Sequence, residues 1–163
     1  MISLIFVLPI ALPGIVTGIA LNNVFTNFFG GLTFFTIIIG HATFCVVVVF
    51  NNVAARYRRM GSSFEEASMD LGANRITTFR LVTFPMIRNA LVAGGLLSFG
   101  LSFDEIIVTT FTAGARPTTL PIWIFQNLFR PNQAPIVNVV AAALIVVSIV
   151  PIYLSQRLTQ ERK

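Results

Sequence analysis

Gly61 to Pro85 reads GSSFEEASMDLGANRITTFRLVTFP, and it is the one long polar passage in an otherwise apolar chain. Its reading decides the fold. Around it lie four hydrophobic stretches, at about 2–21, 32–55, 89–112 and 136–155. Each is close to the 20 or so residues that carry a helix across a bilayer core. The expectation is therefore an all-α fold: a polytopic membrane bundle of four transmembrane helices. A cytoplasmic two-helix loop at 61–85 joins the second and third. A short interfacial helix lies on the outer side.

Composition agrees. Of 163 residues, 55% are hydrophobic and only 10% charged, whereas soluble domains carry about a quarter charged residues. The mean hydropathy is +0.83. The net charge of +5 does not indicate nucleic acid, because the basic residues sit at the ends of apolar runs rather than in a stripe among aromatics. Cys45 stands alone, so it closes no intrachain disulfide. Met1 enters an apolar run at once without a basic flank. That is unlike a secretory signal, and is expected of a chain shortened at its N-terminus.

Arginine and lysine set the orientation. Arg56, Arg58, Arg59, Arg75, Arg80, Arg88, Arg157, Arg162 and Lys163 fall on the side of the central loop and both termini. Arg116 and Arg130 fall on the other. The loop and both termini are expected in the cytoplasm.

Small residues four apart, at Gly14 and Gly18 and at Ala90, Gly94 and Ser98, suit close helix packing. Pro9 and Pro13 are expected to kink the first span. His41 is the sole titratable side chain of the second span, and a hydrogen bond to a neighbouring helix is expected for it. Leu120 to Phe129, with Trp123, is too short to span and is expected to form the interfacial helix.

Within the loop, Ser63 to Glu66 fits a capping box, with the Ser63 hydroxyl as cap and Glu66 reaching back. Phe64, Ala67 and Leu71 then share a face. Gly72 stands where a left-handed residue ends a helix. Asn74 can cap the next helix, and Pro85 limits it. These features leave two readings open: an amphipathic pair on lipid headgroups, or a docking element.

The spacing from Glu66 through Ala67, Ser68 and Gly72 to Val82, Phe84 and Pro85 resembles the EAA loop of binding-protein-dependent ABC importer permeases. Ser68 replaces the second alanine, and Val82 with Phe84 replaces an isoleucine and leucine. The runs LPIALPGIV at 8–16, ASMDLGA at 67–73 and LSFDEIIVTTF at 101–111 extend the likeness. They are similar to the second permease subunit of spermidine/putrescine transporters, over nearly the whole chain.

The resemblance implies a MetI-like transmembrane domain without its first two spans. It further implies a polyamine importer subunit of the bacterial inner membrane, driven by ATP hydrolysis on a separate dimer of ATPase subunits. A second permease and an extracytoplasmic polyamine-binding protein would complete it. Glu66, Ala67, Asp70, Gly72, Ala73 and Pro85 are the docking residues it implies. A truncated, non-transporting permease or a permease for another solute are the alternatives.

No catalytic residue is expected. The sole lysine is Lys163, so no phosphate-cradling G-x-x-x-x-G-K-[ST] can form. One histidine and one cysteine do not make a metal site, and no cofactor is implied. Asp104 and Glu105 are the only acidic residues within an apolar run. Ionisable groups there face a cavity or a partner, so one of the two is a candidate for lining the path of a cationic substrate. The other reading places both near the outer helix end, pairing with Arg116 or reaching water.

Overall fold

The computed structural model describes residues 14–115 and 118–160, with the side chains of 155 and 158–160 undescribed. Those residues are helical, with short connections and no strand among them. Helix α1 covers Gly14–Phe28 and α2 covers Phe34–Met60. The loop holds α3, Ser63–Asp70, and α4, Arg75–Thr78. A π-helical turn at Phe79–Thr83 leads into α5, Phe84–Phe103. After a break come α6, Ile107–Thr112, then α7, Leu120–Asn127, and α8, Ala134–Gln160.

Three helical runs are long and apolar enough to cross a membrane: Phe34–Met60, Arg75–Phe103 and Ala134–Leu154. They correspond to the second, third and fourth expected spans. The first, at 2–21, falls largely outside the described residues, as do Pro9 and Pro13. Its remainder opens α1, which continues to Phe28, past the expected end of that span at 21. α7 matches the expected short helix, ending at Asn127 rather than Phe129.

The third span differs from the expectation of one helix over 89–112. It begins at Arg75 and stops at Phe103. Residues 104–106 are non-helical, and α6 starts afresh at Ile107. The reason lies in Glu105. Its Oε1 accepts the Val108 N–H at 2.8 Å, and its carbonyl accepts the Thr109 hydroxyl at 2.9 Å. The first bond satisfies a free N–H in the first turn of the new helix, whose N-cap position is Ile106.

Pro85 likewise does not end the loop's second helix. The chain passes from α4 into α5 without leaving helical conformation. A proline ring clashes with the carbonyl four residues earlier, here that of Leu81. The π turn widens the helix just before it, with the Phe84 N–H bonding to the Phe79 carbonyl five residues back.

α2 packs along α5, α5 along α8, and α1 against α6. Glycines make these approaches close. A Cβ at Gly18 would come within 2.5 Å of Phe111 Cδ2, and one at Gly94 within 3.0 Å of the Val49 Cα. Gly14 faces Ile107 in the same way. Ser98, one turn from Gly94, donates to the Cys45 carbonyl at 3.1 Å. Two helices also supply partners for the last carbonyls of α6. Asn22 Nδ2 donates to the Phe111 carbonyl and Thr36 Oγ1 to the Thr112 carbonyl, both at 2.7 Å. Backbone groups in lipid need such internal partners.

Gly18→Leu is expected to force α1 off α6 and to cost about 1–3 kcal/mol, as overpacking does. A lowered midpoint of thermal unfolding in detergent would register it. Gly95→Leu is the control, because none of the described residues lies within 4 Å of a Cβ there.

Candidate functional site

The chain carries two sites of interest, one at each end of the long helix Arg75–Phe103. The first is the polar loop. Gly72 ends α3 with φ +87°, a conformation that costs other residues about 1–2 kcal/mol. Its N–H bonds to the Met69 carbonyl at 2.9 Å, and that of Ala73 to the Ser68 carbonyl at 3.1 Å. Asn74 Oδ1 accepts the Thr77 N–H at 2.8 Å and so caps α4. Ser68 and Thr78 hydroxyls meet at 3.1 Å across the turn.

The expected capping box is absent. Ser62, not Ser63, stands at the N-cap, with φ −83° and ψ −16° and no side-chain cap bond. That near-helical backbone does not present a serine hydroxyl back to the first turn. The neighbouring Glu65 acts instead, and outside its own helix. Its Oε1 accepts the Thr83 hydroxyl at 2.6 Å, and its Oε2 the Tyr57 hydroxyl at 3.1 Å. One carboxylate thus ties α3 to the end of α2 and to the π turn. Arg56 Nε adds a bond from α2 to the Met86 carbonyl at 3.2 Å.

The loop is therefore a braced unit with an open outer side. Glu66, Ala67, Asp70, Gly72 and Pro85 are exposed, and Ala73 is half-buried. Glu66, Ala67 and Asp70 lie together on α3, with Gly72 and Ala73 in the turn that follows; Pro85 stands apart, past the π turn. Leu71 is 91% exposed and Ile76 71%, so the turn presents apolar side chains that nothing in the described chain covers. Sequence reasoning singled out Glu66 and missed Glu65, Tyr57 and Thr83. Their association depends on how α2 and α5 lie together, and no local spacing encodes it.

The second site is the break at 104–106. Asp104 and Glu105 do not sit on one continuous helix, so helical spacing does not set their directions. Asp104 is exposed, and Glu105 is half-buried. Both line a recess of about 540 Å³ between α5 and α8, with Leu97, Ser148 and Ile152 among its walls. Glu105 also lines a recess of about 210 Å³ with His41, Phe99, Ser102, Phe103 and Thr119. The rings of Phe99 and Phe103 stack there at 5.6 Å. The Thr119 Oγ1 is buried with no hydrogen-bond partner among the described residues.

His41 bonds to neighbouring helices, as expected. Its Nδ1 meets Ser102 Oγ and its Nε2 meets Thr109 Oγ1, both at 2.7 Å. Arg116 lies outside the described residues, so its pairing with these carboxylates does too. No group of three or more potential metal ligands occurs among the described residues.

Comparison with known proteins gives the family. The family model described as "Binding-protein-dependent transport system inner membrane component" matches residues 1–163. The Escherichia coli K12 putrescine transport system permease protein PotI is 32% identical over 94% of this chain and 58% of its own length. The Haemophilus influenzae spermidine/putrescine transport system permease protein PotC is 34% identical over 91% of this chain and 58% of its own. The Salmonella typhimurium sulfate transport system permease protein CysT is 32% identical over 83% and 56%. The chain thus spans about 58% of the length of the polyamine permeases it matches. With the family model covering every residue, the chain belongs to the inner membrane components of binding-protein-dependent transport systems.

Proposed function

We propose that the chain is part of the permease of an ABC importer for a polyamine, putrescine or spermidine, in the bacterial inner membrane. The observation that carries the proposal is the likeness to two polyamine permeases over more than nine-tenths of the chain. ATP is hydrolysed on a separate ATPase dimer. The loop at 61–85 docks there through Glu66, Ala67, Asp70, Gly72, Ala73 and Pro85. A second permease subunit and an extracytoplasmic binding protein complete the assembly. The loop and both termini face the cytoplasm, and α7 lies near the outer interface, where Trp123 suits the headgroup level.

The mechanism follows from the bracing. Closure of the ATPase dimer moves the docked turn. Glu65 and the Ser68–Thr78 contact hold that turn to α2 and the π turn. The movement therefore enters α2 and α5 as rigid-body rotation rather than local bending. It arrives at the break, where Asp104 and Glu105 line recesses. Asp104 lies 16 residues beyond Arg88, about 24 Å along a helix axis. That is within a hydrocarbon core of about 30 Å measured from the cytoplasmic basic residue. Irregular backbone at such depth is tolerated where it lines a cavity, and a carboxylate there stabilises an ammonium group.

The relative named for sulfate transport raises an anionic substrate as the second reading. A sulfate path needs cationic or N–H donors. Among the described residues neither recess has a lysine or arginine in its wall, and both have carboxylates. Cells lacking their own uptake systems, supplied with the complete transporter, should accumulate labelled putrescine and not labelled sulfate. Sulfate uptake, or uptake of neither, would refute the polyamine assignment.

A further inference from the structure

His41 stands on α2 opposite the helix break, and its two ring nitrogens reach opposite sides of it. Ser102 belongs to the last turn of α5, and Thr109 to the first turn of α6. Proton counting gives each bond a direction. Thr109 is 0% exposed, and its hydroxyl has one proton. Its oxygen lies 2.9 Å from the Glu105 carbonyl, which can only accept, so the proton goes there. Toward His41, Thr109 Oγ1 is therefore the acceptor, and Nε2 carries the hydrogen. In a neutral ring Nδ1 is then bare, and accepts from the Ser102 hydroxyl.

The result is one directed chain: Ser102 hydroxyl to Nδ1, Nε2–H to Thr109 Oγ1, Thr109 hydroxyl to the Glu105 carbonyl. We propose that His41, as the neutral Nε2–H tautomer, is a positioning residue. It clamps α5 to α6 across the break and so aims the Glu105 carboxylate into the recess that the two residues share.

Glu105 is then held at two points. Its carbonyl is held through Thr109, and its Oε1 by the Val108 N–H at 2.8 Å. Among the described residues Oε2 takes no hydrogen bond, which leaves it for a cation. Without the imidazole, the Ser102 and Thr109 hydroxyls lose their common partner, and the separation of the two helix ends is no longer set. That the carboxylate meets a substrate ammonium rests on the function proposed above. The clamp rests on geometry alone.

The test has a spectroscopic arm and a transport arm, both on the complete transporter in lipid. The chain is labelled with 15N-histidine, and the His41→Gln spectrum assigns the resonance. The clamp requires Nε2 to be the protonated nitrogen and Nδ1 the bare one. The opposite tautomer, or an imidazolium, overturns it. In transport, His41→Leu is expected to lower maximal polyamine uptake about tenfold through the loss of two hydrogen bonds. Half-saturation should stay unchanged, since recognition outside the membrane is untouched.

His41→Gln offers one acceptor and one donor, and should restore uptake to within about threefold of wild type. Thr109→Val breaks the relay one bond further on, and should resemble His41→Leu. It also serves if His41→Leu fails to assemble. Wild-type rates in His41→Leu or Thr109→Val, or no rescue by glutamine, overturn the clamp. A wild-type transporter that moves no polyamine refutes the proposed function instead, and the tautomer still decides the clamp.

Discussion

Replacing Gly72 with arginine is expected to weaken association with the ATPase subunits by more than about tenfold, the scale of a lost interface hot spot, and to abolish uptake. Among the described residues nothing lies within 4 Å of a Cβ at Gly72. The first carbon of the arginine side chain therefore enters open space, and the cost to the fold is that of the backbone conformation. What it does meet is whatever docks on the turn. The left-handed backbone adds about 1–2 kcal/mol of strain in any L-residue other than glycine, asparagine or aspartate. Gly72→Asn tolerates that backbone and adds a smaller side chain. It should retain more association than Gly72→Arg. Co-purification of the ATPase with each variant, from membranes where both permeases are present in equal amount, checks the order. Equal recovery with glycine and arginine would mean that the turn is not a docking face.

Glu105→Gln is expected to lower polyamine uptake roughly 10- to 100-fold, the scale of one hydrogen bond to a charged group. The substitution isolates charge from structure. A glutamine Oε1 can still accept the Val108 N–H that Glu105 accepts at 2.8 Å, so the first turn of α6 keeps that bond. What disappears is the negative charge facing the recess. Asp104→Asn should have the smaller effect, because Asp104 is the more exposed of the two and lines only the recess beside α8. Initial uptake rates of labelled putrescine, at matched expression, give the comparison. Unchanged rates in both variants would remove the carboxylates from the path.

What the sequence made legible was local. The long apolar helices follow from composition. Gly14, Gly18 and Gly94 announce close helix contacts by being small at helical spacing, and each lies against a neighbouring helix. Gly72 and Asn74 act on residues within five positions of themselves.

The parts that were not legible are set by tertiary bonds. The break after Phe103 interrupts an apolar run that would otherwise continue as helix. It is held by Glu105 and by His41, which lies 61 and 68 residues from its partners Ser102 and Thr109. Glu66 read as the acid of a capping box, yet it is Glu65 that makes the contacts, and its partners Tyr57 and Thr83 come from two other elements. Pro85 read as a stop because a regular α-helix cannot absorb it. A single π turn could, and the polar loop thereby continues directly into the span. For the candidate site, the acidic residues and a hydrogen-bonded His41 were visible; its partners Ser102 and Thr109, and the link from Thr109 to Glu105, were not.

The measurement that bears most directly on the account is ATP-dependent accumulation of labelled putrescine in proteoliposomes holding the complete transporter. The account predicts accumulation only when ATPase subunits, binding protein and ATP are all present, with hydrolysis rising alongside uptake. Accumulation that persists when the ATPase subunits are omitted, or hydrolysis that proceeds with no accumulation at all, would contradict it.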